Sequence, residues 1–412
     1  MVKKGYKQTE VGVIPEDWKN LKIKDIGYLT SGESPSHFDF STGHLPYFKV
    51  EQLNNSVKYQ IDTPYHTSSS KPIDMGSIIF PKRGAAISTN KVRLLAQPSL
   101  LDTNIMALTI TNEQVNNEYL FYWFIRKGLW QIADTTSVPQ INNKHILPLQ
   151  FPFPSFAEQE RIADALSDID SFLTTLEKQI FKKKAIKQGA MQELLTGKHR
   201  LPGFSDGWET FVFGDTFDFI PNNAFTRAQM DDTGKVKNVH YGDILTKFGA
   251  YISADSKDIP YIAKEIDLSR FAEKCYLQSG DVIIADTAED ETVGKALEVI
   301  NVECPVLAGQ HTLLCRPKVR FAEKFLGYYL NAACYHDQLL PYIVGTKVSS
   351  VSKASIAQTK LVVPKYEEQQ AISSILADMD DEITELEQKL AKYRQVKQGM
   401  MQQLLTGKIR LV

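Results

Sequence analysis

The chain has no apolar run long enough to cross a bilayer, no C-x-x-C pair among its four cysteines, and a net charge of only −2 over 412 residues. Each lack excludes something. A membrane-spanning helix needs about 20 consecutive, mainly apolar residues. The opening MVKKGYKQTEVGVIPEDW starts with adjacent lysines but has no apolar core behind them, so it does not read as a secretory leader. Cys275, Cys304, Cys315 and Cys334 are widely spaced, so the expectation is reduced, partly buried thiols in a cytoplasmic protein and no zinc site. A near-neutral chain can bind nucleic acid only through local basic patches offset by acidic surface elsewhere.

Signatures of chemistry are equally scarce. There is no G-x-G-x-x-G turn, no G-x-x-x-x-G-K-[ST] loop and no N/D-P-P-Y/F tetrapeptide of the kind that grips a flipped base. The eight histidines are scattered, and none forms an H-x-x-x-H pair. EKC and EKF each set a Glu beside a Lys, without a convincing metal-binding partner. TGK at 196–198 and 406–408 reads as a glycine cap at a helix C-terminus, not as a phosphate loop. The chain therefore reads as non-catalytic, with no cofactor of its own.

What is present is a duplication. MQELLTGKHRL at 191–201 returns as MQQLLTGKIRL at 401–411, an offset of 210. At that offset the whole stretch from Ala157 aligns without a gap to the stretch from Glu367. Both copies have helical period. Ile162, Leu166, Ile169, Leu173, Leu176 and Ile180 are spaced 4, 3, 4, 3, 4, as are Ile372, Leu376, Met379, Ile383, Leu386 and Leu390. That is a coiled-coil seam with mainly polar residues between. A helix over 157–195 would be about 58 Å long. Two such stripes in one chain are most simply buried against each other.

Fainter duplication extends into the segments before each helix. DWKNLKIKDIG resembles GWETFVFGDTF; the strand-like GSIIFPKRG (76–84) resembles GDVIIADTA (280–288); NNEYLFYWFIRKGLW resembles FAEKFLGYYLNAACY. TTSVPQINNKHILPLQFPFP (135–154) falls on GTKVSSVSKASIAQTKLVVP (345–364), again offset by 210. The plan is a globule over 1–154, a helix over 155–200, a globule over 201–364 and a helix over 365–412. The scaffold is repeated closely and the globules have diverged, as expected of a protein that recognises two different things at a fixed distance.

The strand with its basic turn GSIIFPKRG, the pre-helical P…EQ…I…L…ID at 154–170 and again at 364–380, and the paired LLTGK endings resemble the specificity (S) subunits of type I restriction–modification enzymes over essentially the whole chain. The resemblance implies an α+β fold in which two target-recognition domains are separated by two long antiparallel coiled-coil helices, with a pseudo-twofold internal repeat. Each domain would read half of a bipartite double-stranded DNA target, and the helices would set the spacing. The implied partners are two methyltransferase (M) subunits, which bind S-adenosylmethionine, and restriction (R) subunits, which use ATP and magnesium. The near-circular match of the two junctions, LLTGKHRL to PGFSDGW and LLTGKIRL to the VGVIPEDW lead-in, fits one M subunit per repeated half. A coiled-coil adaptor that binds proteins through its globules remains open on the residues alone.

Candidate DNA contacts lie in two places per globule. Lys82 and Arg83 follow an apolar strand and precede Gly84, with Lys91 and Arg93 close behind; the equivalent turn IIADTAEDETVGK is acidic and has only Lys295 nearby. Before the helices, one loop offers Thr136, Ser137, Gln140, Asn142, Asn143 and Lys144, and the other Thr346, Lys347, Ser349, Ser350, Ser352 and Lys353. Amides suit adenine edges; hydroxyls and lysines suit phosphates. Arg227 and His240 are further candidates in the second globule.

Overall fold

The computed structural model describes residues 3–69, 71–135, 138–290, 292–345 and 347–412. Thr136, Ser137 and Thr346, named above as candidate contacts, lie outside the described residues. The chain divides into two compact units, 1–177 with 388–412, and 178–387. Each unit thus holds one globule, the start of one long helix and the end of the other.

In the first unit a five-stranded sheet has the order Gly27–Ser31, Ile105–Ile110, Ile78–Pro81, Arg93–Leu95, Tyr59–Gln60. All pairings are antiparallel except the last, which is parallel. The central strands read as continuous apolar runs because both faces are covered. Alternate side chains point to opposite faces: Ile78, Phe80, Met106 and Leu108 join the main core, and Ile79, Ile105 and Ala107 join a second, smaller one. The helix Asn117–Lys127 closes the main core with Tyr119 through Phe124, all buried. Its start is capped by Asn116, whose side chain accepts from the Tyr119 N–H at 2.9 Å.

The second unit repeats this plan. Its five-stranded sheet runs Phe217–Ile220, Thr312–Pro317, Val282–Ala285, Ala296–Ile300, Tyr251–Ser253, again with the last pair parallel. Val282 and Ile284 face one core, Ile283 and Ala285 the other. The helix equivalent to Asn117–Lys127 is reduced to Phe325–Leu330. Lys324, at φ 68°, gives it no side-chain cap, and buried Glu298 on the neighbouring strand fills that role. The Glu298 carboxylate accepts from the N–H groups of Lys324 at 2.7 Å and Gly327 at 2.8 Å. A side chain on Gly327 would collide with the Ala250 carbonyl oxygen, which lies 2.2 Å from where its Cβ would be.

Both long helices are unbroken, Phe156–Leu194 and Tyr366–Leu404, and run through Gly189 and Gly399. Of the twelve seam positions, Ile169, Met379 and Leu386 are half-buried and the other nine are buried. Met401, Leu404 and Leu405 complete the core of the first unit, and Leu194 and Leu195 that of the second. Within each unit the two helical segments run antiparallel and are joined by matching charges. In the first, Lys397 meets Asp170 at 2.5 Å and Arg394 meets Glu177 at 2.7 Å. In the second, Lys187 meets Asp380 and Lys184 meets Glu387. The same aspartates accept from globule tyrosines, Tyr122 at 2.8 Å and Tyr328 at 2.7 Å, which ties helix to globule.

The paired Glu-Gln at each helix start has a clear structural role. Gln159 donates to the Pro154 carbonyl and accepts from Asn116 N–H; Gln369 does the same with Pro364 and Ala322. Glu158 and Glu368 each receive an arginine from the tail of the opposite helix, Arg410 and Arg200, both at 2.7 Å. The helices end as expected. Gly197 and Gly407 adopt φ values of 69° and 68°, and His199 and Ile409 N–H groups reach back to the Glu193 and Gln403 carbonyls. The Trp208 ring packs against Gly197, and Pro15 together with the Trp18 ring packs against Gly407.

Candidate nucleic-acid interface

Where strand Ile78–Pro81 ends, the structure joins three stretches that are far apart in sequence. Lys82 donates its backbone N–H to the Asn104 carbonyl at 2.7 Å, and its own carbonyl accepts from Ile141 N–H at 2.9 Å. Gly84 N–H donates to the Pro139 carbonyl at 3.1 Å, and Arg83 forms a β-bridge with Gln140. The basic turn and the polar pre-helical loop, read separately in the sequence, are therefore one surface. The turn 102–104, between strands Leu100–Leu101 and Ile105–Ile110 of different sheets, completes it and was not visible in the sequence. Lys82 Nζ donates to Ser31 Oγ at 3.1 Å, while Arg83, Asn142, Asn143 and Lys144 are exposed and Gln140 and Lys91 are half-buried. Asn142 precedes the short helix Asn143–Ile146, and its N–H donates to His145 Nδ1 at 3.1 Å.

The second globule builds the same frame from different residues. Asp286 N–H donates to the His311 carbonyl at 3.2 Å, and Val351 N–H donates to the Asp286 carbonyl at 2.9 Å. Thr287–Ala288 pairs with Ser349–Ser350, placing Thr287 opposite Ser350 as Arg83 is opposite Gln140. Asp286 and Thr287 thus occupy the places of Lys82 and Arg83. Thr287 Oγ1 donates to Asp286 Oδ1 at 2.8 Å, and His311 Nδ1 lies 3.7 Å from the same oxygen. Lys347 and Ser352 are exposed; Ser352 caps the helix Lys353–Ala357 by accepting from Ser355 N–H at 3.0 Å. The exposed Lys353 places its ammonium 4.6 Å from the Phe219 ring centre.

Three candidate cations are engaged in their own fold. Arg93 is buried, with its guanidinium donating to the carbonyls of Val92 and Leu53; burial lowers it to about 10. The expectation of a surface cation there is corrected: the turn carbonyls of Val92 and Leu53 draw the guanidinium inward. Lys295 donates to the Leu245 and Phe248 carbonyls at the end of helix Tyr241–Thr246, and burial lowers its ammonium. It serves as a cation at a helix C-terminus. Arg227 is exposed but forked onto Asp243, at 2.8 and 2.6 Å, which raises the guanidinium. Burial pushes the Asp243 carboxyl up, but Arg227 and Lys247 pull it down further, and the net direction is down. His240 accepts from Gly242 N–H and is lowered, chiefly by burial. Among the described residues no three His, Cys, Asp or Glu side chains come together as a metal site, and no helix is long and apolar enough to cross a membrane.

These features define a mixed α/β protein of two like units, each presenting a polar face at the end of its central strand. The family of such proteins is identified by its domain model: the type I restriction modification DNA specificity domain matches residues 15–187 and 205–393. The chain belongs to this family, the specificity subunits of type I restriction–modification enzymes. It is 23% identical over 419 residues to the type I restriction enzyme MjaVIII specificity subunit of Methanocaldococcus jannaschii, covering 97% of this chain and 94% of that one. The EcoDI specificity subunit of Escherichia coli is 22% identical over 204 residues, 48% of this chain and 45% of its own. In fold, the chain resembles the S subunit of a type I restriction–modification system from M. genitalium, with a TM-score of 0.56 at 15% identity, covering 94% and 96% of the two chains.

Proposed function

We propose that this chain is a non-catalytic DNA-reading subunit in which each globule recognises one half of a bipartite target through its strand-end face. The observation that carries this reading is the frame built twice with different side chains. One backbone arrangement, closed by equivalent hydrogen bonds, displays Lys82, Arg83 and Gln140 in one globule and Asp286, Thr287 and Ser350 in the other. Conserving a platform while changing its contents is what two different half-sites require, since base edges are read by donor and acceptor pattern.

The long helices act as a coiled-coil spacer that fixes the distance between half-sites, and each repeated half offers an equivalent docking surface to one methyltransferase subunit. S-adenosylmethionine belongs to those subunits, and ATP with magnesium to the restriction subunits. The test is methylation-aware sequencing of DNA from cells that carry this chain with its methyltransferase partner. A single bipartite motif is expected. Replacing residues 1–154 by the matching domain of a relative should change one half of that motif and leave the other intact; a swap that altered both halves, or neither, would overturn the assignment.

A further inference from the structure

We infer that Asp286 is a base-reading acceptor, recognising the exocyclic amino group of a cytosine or adenine in the half-site read by the second globule. This rests on the reading that the strand-end face lies on DNA. Asp286 occupies the frame position of Lys82: each gives its N–H to the carbonyl of an inter-strand turn, of His311 or Asn104, and accepts from the loop before the long helix, at Val351 or Ile141. The two globules therefore present opposite charges at one structural address. A lysine there serves phosphates or the acceptor atoms of guanine. A carboxylate there is repelled by phosphate and gains only by meeting a donor, and the donors exposed in the major groove are cytosine N4 and adenine N6.

The side chain is held for such a role. Thr287 Oγ1 donates to Oδ1 at 2.8 Å and His311 flanks the same oxygen, while Oδ2 has no hydrogen-bond partner among the described residues. Asp286 is only partly exposed, at 27%, so the free oxygen is presented from a fixed carboxylate and not from a mobile surface chain. Thr287 and His311 act as positioning residues and need not touch the base.

The experiment uses the full chain assembled with its methyltransferase subunits, as wild type, Asp286→Ala and Asp286→Asn. Methylation rates are measured on duplexes substituted one base pair at a time across the wild-type motif. Asp286→Ala should lose discrimination at one base pair of the half-site read by the second globule, roughly 5- to 150-fold, with the other half unchanged. Asp286→Asn keeps an acceptor and should retain discrimination at that base pair. An unchanged profile in Asp286→Ala overturns the inference, as does relaxation spread over several base pairs, or in both halves. If Asp286→Ala abolishes methylation altogether, retained specificity in Asp286→Asn supports the inference and loss in both variants refutes it. A wild-type profile that is not bipartite would instead refute the underlying reading of the face, so the two failures are distinguishable.

Discussion

Glu158 and Glu368 stand at equivalent starts of the two long helices, yet their surroundings predict unequal consequences of the same change. Glu158 is 2% exposed, and accepts from Arg410 Nε at 2.7 Å, Arg410 Nη2 at 2.9 Å and Trp18 Nε1 at 3.0 Å. Glu368, 3% exposed, accepts from Arg200 Nε and Nη2, both at 2.7 Å, but receives no tryptophan; Trp208 Nε1 is buried without a hydrogen-bond partner among the described residues. Replacing either glutamate by glutamine keeps the volume and removes the charge. The new amide then points an N–H at a donor. Breaking a buried ion pair costs about 3–5 kcal/mol. Both arginines keep about a quarter of their side-chain exposure, so the cost falls just below that range, about 2–3 kcal/mol for each glutamate. At Glu158 the tryptophan N–H adds about 1 kcal/mol, the worth of one more buried donor left badly matched. Glu158→Gln should therefore lose about 3–4 kcal/mol and Glu368→Gln about 1 kcal/mol less. Equilibrium urea unfolding measures the loss, and hydrogen exchange assigns it to residues 1–177 with 388–412 or to 178–387. Equal losses, or a larger one for Glu368→Gln, would refute the reasoning.

Three further outcomes are expected. Leu173 is buried and Leu386 half-buried, so Leu173→Asp should lower stability by about 3–5 kcal/mol and Leu386→Asp by clearly less, read from thermal unfolding; unchanged melting in both would remove the seam. Burial raises the Glu298 carboxyl from 4.5 to about 7, so the folded state holds that proton more tightly than the unfolded chain. The stability it contributes is complete below 4.5 and fades as pH rises through about 7; Glu298→Gln should flatten this slope in urea midpoints measured at intervals from pH 4 to 8. Lys82→Ala combined with Arg83→Ala should weaken DNA binding by about 1–3 kcal/mol and reduce its salt dependence, measured by anisotropy over a salt series; unaltered affinity would take this turn out of the interface.

The long helices were legible because a 3-4 spacing sustained over many turns has few other solutions, and the expected 157–195 lies within one residue of Phe156–Leu194. The Glu-Gln pair was visible as a motif but not as a clamp, since its arginines come from the far end of the opposite helix. The two parts of the strand-end face were each legible by residue type. Their adjacency was not, because it is made by backbone hydrogen bonds, which carry no side-chain signature. The turns at Asn104 and His311 escaped notice for the same reason: the two residues share a carbonyl position and nothing else. Arg93 and Lys295 show the converse. A charge is read easily from sequence, but its direction depends on which carbonyls lack a donor, and that is a property of the folded chain.

The division of the long helices between units has a consequence for how the molecule is made. Residues 178–387 form one uninterrupted stretch, whereas the other unit needs 388–412 to finish a core begun by its first residues. A ribosome adding about 5–20 residues each second takes about 10–40 s to travel from residue 177 to residue 388. During that interval the first globule is outside the tunnel but lacks Met401, Leu404 and Leu405. The unit translated first is thus completed only at the end of synthesis, because its core closes only when Met401, Leu404 and Leu405 arrive.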